Sequence, residues 1–151
     1  MEITTLTLVT SRVVIRWRED GMSCVAREDD LPRLEVRPDN IGSIWHPPFT
    51  DRQVIGFEEA PPGELDRPSW WAIYGYAAPD VQVTVTVDDQ PAPIVHRIGS
   101  VWACEWVSFP TRAHVHRSDQ DTPDVVRFIR PEFLPPAPYP EHVLADMPTS
   151  L

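Results

Sequence analysis

Lysine is absent from this chain, and all 13 of its basic residues are arginine. They are outnumbered by 23 aspartates and glutamates, which leaves a formal net charge of -10 at pH 7. A protein that binds nucleic acid needs a basic stripe to displace the counterions of the phosphate backbone. We therefore expect no nucleic-acid ligand, whereas the acidic charge favours encounter with a basic protein partner.

The sequence also lacks the usual signatures of catalysis and of phosphate binding. The six glycines are scattered singly, with no GxGxxG or GKS/T loop, and no serine stands in a GxSxG motif. The two cysteines, Cys24 and Cys104, form no CxxC pair of the kind that binds zinc. The sequence thus predicts a protein without enzymatic chemistry and without a cofactor.

Long hydrophobic runs are missing as well. No apolar stretch approaches the ~20 residues that cross a bilayer. The first residues, "MEITTLTLVTSRVVIRW", have no basic leader and no small-residue cleavage site. We expect a cytoplasmic protein with no membrane contact, in which both cysteines are free thiols because that compartment is reducing.

Proline, in contrast, is abundant, with 18 in 151 residues. Because a proline inside a helix removes a hydrogen bond and clashes with the preceding turn, long helices are not expected. The length fits one domain, which we predict over residues 1–130. Residues 131–151 are predicted to form a Pro-rich, extended C-terminal tail, with a single helical turn near "PEHVLADM".

Alternation with a period of two dominates the rest of the chain. In "VQVTVTV", residues 81–87, valines alternate with polar residues. This alternation predicts a strand with one buried face and one solvent-exposed face. Residues 81–107 are interpreted as a three-strand antiparallel meander, and a hairpin is predicted around Thr10 and Ser11. In the second strand of that hairpin, three side chains are predicted to face the core: Val13, Ile15 and Trp17. With about nine to eleven short strands, the predicted fold class is all-β, an antiparallel β-sandwich.

The stretch "GSVWACEWV", residues 99–107, places Trp102, Cys104 and Trp106 on one face of a strand. Because the other face is also largely apolar, this is predicted to be a central strand. Glu105 is the exception among these residues. Its carboxylate must reach solvent, pair with an arginine or sit with a raised pKa, which makes it a candidate polar site.

Aromatic residues also alternate in "SWWAIYGY", where Trp70, Tyr74 and Tyr76 share one face. Such a row is typical of a core, of a sugar-binding platform or of a protein interface, in which tryptophan and tyrosine act as anchors. We interpret it as the centre of an interface. The rim of that interface is predicted to be the acidic, irregular loop "REDGMSCVAREDDLPR", residues 18–33, which contains Glu28, Asp29 and Asp30.

The segment "HVH" places His114 and His116 on the same face of a strand. This spacing occurs in metal sites of β-sandwich proteins, although further ligands would have to come from distant parts of the chain. Metal binding through these two histidines is therefore kept as an alternative.

The stretch "YGYAAPDVQVTVTVDDQPAPIVHRIGSVWACEWVSFP", residues 74–110, resembles a pattern in uncharacterised proteins of actinobacteria. That pattern has a glycine, an "AAPD" turn, a valine-rich strand, a turn and a Gly-aromatic strand. "LVTSRVVIRW" and "LEVRPDNIGSIWHPP" are similar to the same proteins, so the resemblance covers residues 3–110. It implies an immunoglobulin-like β-sandwich and no activity. In antibody domains a tyrosine stands two residues before the second cysteine, whereas this chain has Trp102 there.

The function predicted from the sequence is that of a non-enzymatic protein-interaction module. It could act as an acidic inhibitor or immunity-type protein, or as an assembly subunit, and a homo-oligomer is compatible with this role. The alternatives are a metal-binding sandwich, which includes a metal-dependent enzyme, and a carbohydrate-binding module.

Overall fold

The alternating segments of the sequence form strands. The computed structural model describes residues 2–32, 44–48, 54–59, 68–109, 111–127 and 139–140. Within these ranges the chain forms eleven β-strands and a short 3-10 helix at Glu28–Asp30. The strands are β1 (Ile3–Thr7), β2 (Val13–Arg18), β3 (Ser23–Arg27), β4 (Ile55–Glu58), β5 (Ser69–Tyr76), β6 (Val83–Val87), β7 (His96–Ile98), β8 (Val101–Ser108), β9 (Arg112–Arg117), β10 (Asp124–Arg127) and β11 (Tyr139–Pro140). The all-β prediction is confirmed for the described part of the chain.

The strands form three antiparallel sheets. The N-terminal sheet has the order β1-β2-β3, the central sheet β4-β5-β8-β7 and the C-terminal sheet β11-β10-β9-β6. Two clusters of buried side chains lie on opposite faces of the central sheet, one shared with the N-terminal sheet and the other with the C-terminal sheet. The central sheet is therefore buried on both faces.

The inner strands of the central sheet are β5 and β8. They pair along eight residues, from Ser69 opposite Ser108 to Tyr76 opposite Val101. The side chains that face the C-terminal sheet are buried, and they are Trp71, Ile73, Trp102, Cys104 and Trp106. Burial raises the pKa of the Cys104 thiol, which packs as a small neutral side chain. The prediction that residues 99–107 contain a central strand is confirmed.

Two glycines allow tryptophan rings to approach the backbone closely. A Cβ atom on Gly75 would lie 2.9 Å from the indole of Trp102, which packs over this glycine on the neighbouring strand. Gly99 has a φ of +58° in the β7–β8 turn, and a Cβ atom there would overlap the ring of Trp17. The ring of Trp17 thereby fixes the β7–β8 hairpin against the N-terminal sheet.

The predicted N-terminal hairpin is confirmed, since β1 and β2 pair from Ile3 opposite Arg18 to Thr7 opposite Val14. Val13 and Ile15 face the central sheet and are buried, and Trp17 packs beside them. The opposite face of this sheet is covered as well. Its buried residues form a third cluster: Val14, Cys24, Ala26 and Leu31, with Ile44 and Trp45 packed against them.

The predicted meander over residues 81–107 is wrong. Strand β6 pairs with β9 in the C-terminal sheet, while β7 and β8 form a hairpin in the central sheet. Asp89 turns the chain with a φ of +64° just after β6. Pro91 and Pro93 follow, and since neither has an N–H to donate, they cannot continue a ladder beside β6. The chain therefore crosses to the other sheet.

Most of the predicted C-terminal tail, residues 131–151, lies outside the described residues, as does the helical turn near "PEHVLADM". Tyr139 and Pro140 are described, and they pair with β10.

Cys24 and Cys104 are free, as predicted, and belong to different clusters. Within the described ranges, no helix combines the length and the apolar character needed to cross a membrane.

Candidate functional site

Trp70 is the second residue of β5 and lies on the face that packs toward the N-terminal sheet. Its side chain is half-buried. The guanidinium carbon of Arg27 lies 5.2 Å from the centre of its ring, a cation–π contact. Because Arg27 is the last residue of β3, this contact brings the segment that follows β3 next to Trp70.

The loop predicted over residues 18–33 is wrong in part, because Ser23–Arg27 form β3 and pair with β2. The segment after Arg27 is the acidic turn Glu28–Asp30. Glu28 forms an ion pair with Arg12, whose Nε and Nη2 donate to its two oxygens at 2.7 and 2.9 Å. The hydrogen bonds from Arg12 hold the pKa of Glu28 below its usual value, so Glu28 is charged at neutral pH. Asp29 is exposed and Asp30 half-buried. The predicted acidic rim thus follows directly in sequence on Arg27, the residue that contacts the predicted aromatic anchor Trp70.

An exposed valine extends this surface. Val107 lies directly opposite Trp70 across the β5–β8 ladder, which places both side chains on the same face, and Val107 is 54% exposed. We call Arg27, Glu28, Asp29, Trp70 and Val107 together the Trp70 surface. The half-buried Trp70 and the exposed Val107 thus form an apolar pair beside charged residues, and aromatic residues are enriched in protein interfaces.

The two tyrosines of the predicted row lie deeper than Trp70. Tyr74 is half-buried and stacks on Phe57 with a distance of 6.1 Å between ring centres. Tyr76 is buried, and its hydroxyl is hydrogen-bonded to Ser23 Oγ in the N-terminal sheet. Burial raises the pKa of both phenols, so they stay neutral. Of the predicted row, Trp70 alone belongs to the Trp70 surface.

The sequence pattern did not reveal why the row differs along its length. Alternation shows that Trp70, Tyr74 and Tyr76 share one face, but it does not show what covers that face. In the structure the N-terminal sheet covers the Tyr76 end and leaves the Trp70 end at its margin. One feature of the sequence points to the contact at Trp70. It is Arg27, a cation directly before the acidic run, because a guanidinium can pack on an aromatic ring.

Glu105 reaches across to the turn between β1 and β2. Its Oε1 accepts a hydrogen bond from the Thr10 N–H at 2.8 Å, and its Oε2 accepts one from the Ser11 N–H at 2.7 Å. Partial burial raises the pKa of the Glu105 carboxyl, but these hydrogen bonds outweigh it, and the net pKa lies below the ordinary value. A charged Glu105 therefore links the central sheet to the N-terminal sheet.

His114 and His116 lie side by side on β9, with 6.4 Å between their ring centres. His114 Nε2 is 3.1 Å from Asp88 Oδ1, and His116 Nε2 is 3.0 Å from Thr86 Oγ1. Among the residues that the structure describes, no group of three histidines, cysteines or carboxylates is placed to hold a metal ion. The structure brings the two histidines together and adds Asp88 beside one of them.

A shallow cleft that the sequence did not reveal opens beside Asp88, with a volume of about 360 Å³. Its lining residues follow β6 or lie at and after the end of β8: Asp88, Asp89, Gln90, Ser108, Phe109 and Thr111. Ser108 Oγ donates a hydrogen bond to the Phe109 carbonyl and accepts one from Trp106 Nε1. The hydroxyl of Ser108 is thus engaged in holding the end of β8.

Comparisons with models of known protein families, with curated proteins and with solved structures find no match to this chain.

Proposed function

We propose that this protein is a non-catalytic interaction module that binds a basic protein partner through the Trp70 surface. The observation that carries the proposal is the contact of Arg27 with Trp70. That contact joins an aromatic anchor to the acidic turn that contains Glu28 and Asp29. Two roles fit such a module, that of an acidic inhibitor or immunity-type protein and that of an assembly subunit.

The chemistry of the surface fits a cationic partner. Tryptophan is enriched among the few residues that dominate binding energy. Charges that complement those of a partner speed the encounter. Asp29 is exposed, and the whole chain carries a charge of -10. A partner that presents lysine or arginine beside an apolar residue would complement both features.

Affinity capture with matched variants tests the proposal. The tagged chain is used as bait in a lysate of its source organism, beside the variants Trp70→Ala, Asp29→Asn and Asp121→Asn. Asp121 is exposed in the β9–β10 turn, away from the Trp70 surface, so its variant makes the same charge change elsewhere. We expect a basic protein that is retained by wild type and Asp121→Asn, reduced by Asp29→Asn and lost by Trp70→Ala.

Far-UV circular dichroism of each variant verifies that the fold is intact. Retention of the same partner by Trp70→Ala and Asp29→Asn would refute the Trp70 surface as the contact. Capture of an acidic partner, or of none, would refute the proposed class of partner.

We also propose that β4–β10 form an immunoglobulin-like sandwich, to which the N-terminal sheet is added. The strand orders β4-β5-β8-β7 and β6-β9-β10 support this, because they follow the A-B-E-D and C-F-G orders of that fold. On this assignment Cys104 lies on strand E, whereas the inter-sheet disulfide of antibody domains joins strands B and F. A fold of this kind implies no activity by itself.

Divalent metal binding at His114 and His116 is a second candidate, supported by their placement on one face with Asp88 beside His114. Imidazole and carboxylate are suitable ligands for zinc. Calorimetric titration with zinc would show one site in wild type and in His96→Ala, a control for an exposed histidine elsewhere, and none in His116→Ala. Absence of binding to wild type would reject this candidate.

Sugar binding has less support, since Arg27 occupies one face of the Trp70 ring.

A further inference from the structure

Strand β1 (Ile3–Thr7) is an edge strand. It pairs with β2 on one side, and on its other side no strand is paired among the residues that the structure describes. Its first three residues, Ile3, Thr4 and Thr5, are exposed on both faces of the sheet. This strand therefore has one partner where an inner strand has two.

The hydrogen bonds at the two ends of the β1–β2 ladder show which backbone groups of β1 face outward. The Leu8 N–H donates to the Val13 carbonyl at one end, and the Glu19 N–H donates to the Glu2 carbonyl at the other. In an antiparallel ladder the bonded positions alternate along the strand, so even-numbered residues bond to β2. The N–H and C=O groups of Ile3, Thr5 and Thr7 consequently point away from the sheet.

Three other edge strands in the described part of the chain, β3, β6 and β7, carry features that discourage pairing with another strand. The outer edge of β3 is occupied at Ser23, which exchanges two backbone hydrogen bonds with His46. Strand β7 has only three residues and follows Pro91 and Pro93, and β6 is followed by two aspartates. Strand β1 has no proline and no charged residue between Ile3 and Thr7. It lacks the usual protection against association through an edge.

We propose that β1 pairs with β1 of a second copy of this chain, antiparallel about a two-fold axis at Thr5. In this register Thr5 lies opposite Thr5 of the second copy, and Ile3 lies opposite Thr7 of the second copy. All three outward-facing positions then meet as hydrogen-bonded pairs, which joins the two N-terminal sheets into one sheet of six strands.

A second copy fits this edge because the edge is complementary to itself. The outward-facing residues, 3, 5 and 7, are spaced symmetrically about Thr5, so one register satisfies every outward N–H and C=O group of both strands. No like charges face each other inside the paired segment, since β1 is uncharged. The threonines and Ile3 are residue types that favour strands.

The dimer has to overcome the repulsion between two chains that each carry a charge of -10. Salt screens this repulsion. We therefore expect the dimer to be tighter at high than at low salt, which is the opposite of the dependence expected for a basic partner at the Trp70 surface. The two interactions are distinguishable on that ground.

Proline substitution tests the edge without breaking the ladder to β2. In Thr5→Pro the lost N–H is one that faces outward, and the preceding residue is already extended, so the hairpin is retained. Sedimentation equilibrium of the full chain over a range of concentrations should show a monomer–dimer equilibrium. We expect Thr5→Pro to weaken the dimer by at least about tenfold, whereas the matched control Thr5→Val, which keeps the N–H, leaves it unchanged.

Cysteine cross-linking tests the register. In the proposed dimer the two Thr5 Cα atoms are ~5.5 Å apart, within the range of a disulfide, whereas the two Thr7 Cα atoms are separated by about four residues of strand, roughly 13 Å. Under oxidation Thr5→Cys should form a covalent dimer and Thr7→Cys should not. The native thiols Cys24 and Cys104 are buried and do not compete.

A monomer at every concentration would overturn the proposal. So would a dimer that survives in Thr5→Pro, or equal cross-linking of Thr5→Cys and Thr7→Cys. The cross-linking outcome does not depend on how well Thr5→Pro folds, because the cysteine variants keep every backbone N–H.

Discussion

Glu105 is the residue whose chemistry is most changed by its surroundings. On β8 it is flanked on the same face by Ala103 and Val107, and its carboxylate accepts the N–H groups of Thr10 and Ser11 at 2.8 and 2.7 Å. Hydrogen bonds to a charged acceptor are stronger than neutral ones. One side chain thus secures the turn of the N-terminal hairpin to the neighbouring sheet.

The lowered pKa of Glu105 gives this link a defined pH dependence. Because its pKa is lower in the folded protein than in the unfolded chain, its contribution is complete above the ordinary glutamate pKa of ~4.3. The contribution is lost as the pH falls through the lowered value. We expect Glu105→Gln, which replaces one acceptor oxygen with a donor, to lower the free energy of unfolding by about 1–2 kcal/mol at pH 7.

Urea denaturation between pH 7 and pH 2 measures this difference, with Glu19→Gln, an exposed glutamate, as the control. The gap between wild type and Glu105→Gln should narrow as the pH falls. A gap that stays constant with pH would show that the charge of Glu105 has no part in the link.

Gly99 is a second residue with a specific role, since its φ of +58° disfavours a side chain and its contact with Trp17 leaves no room for one. Gly21 provides a matched control, because its φ is +90° but nothing lies within 4 Å of the position of its Cβ atom. Gly21→Ala should therefore report backbone strain alone, about 1 kcal/mol. Gly99→Ala should cost roughly 1–3 kcal/mol more, owing to the overlap with Trp17.

Thermal and urea unfolding of the two glycine variants give this comparison. Equal losses of stability in Gly99→Ala and Gly21→Ala would contradict the close packing of Trp17 on the β7–β8 turn.

At the scale of elements, Arg97 on β7 binds the chain segment that connects β5 to β6 and so holds it against the central sheet. Its guanidinium donates hydrogen bonds to the carbonyls of Ala77, Ala78 and Val81 at 2.7, 2.6 and 2.7 Å. Burial lowers the pKa of Arg97, and the charge of nearby Arg117 adds to this effect. The fork of an arginine is needed to reach several carbonyls at once.

We expect Arg97→Lys to destabilise the fold by about 1–2 kcal/mol, because a single ammonium group cannot satisfy the same carbonyls. Arg112→Lys is the control, since Arg112 is exposed and its ion pair with Asp88 is long, at 3.9 Å. Urea denaturation of both variants is the measurement. A tolerated Arg97→Lys would mean that the crossover is held by other contacts.

The elements also show how far the sequence determines the fold. Alternation predicted the N-terminal hairpin and the two apolar faces of β8, because both are local consequences of side-chain spacing. It could not predict that β6 and β7 belong to different sheets, since that depends on pairing with β9 and β8. The burial of Tyr76 could not be predicted for the same reason, since the N-terminal sheet that covers it is formed by residues 3–27.

At the scale of the whole molecule, charge and edges distinguish the two associations that we propose. The Trp70 surface combines an aromatic residue with exposed carboxylates and is suited to a basic partner. The outer edge of β1 is uncharged and is suited to a second copy. The net charge of -10 aids the first interaction and opposes the second.

The most direct test of the Trp70 surface is the affinity of the captured partner measured across a range of salt concentrations. We predict that Kd increases with salt, mainly through a slower association rate, that Asp29→Asn reduces this dependence and that Asp121→Asn reduces it less. Trp70→Ala should raise Kd at every salt concentration by at least about tenfold. A Kd that is independent of salt and unchanged in Trp70→Ala would contradict the proposed function.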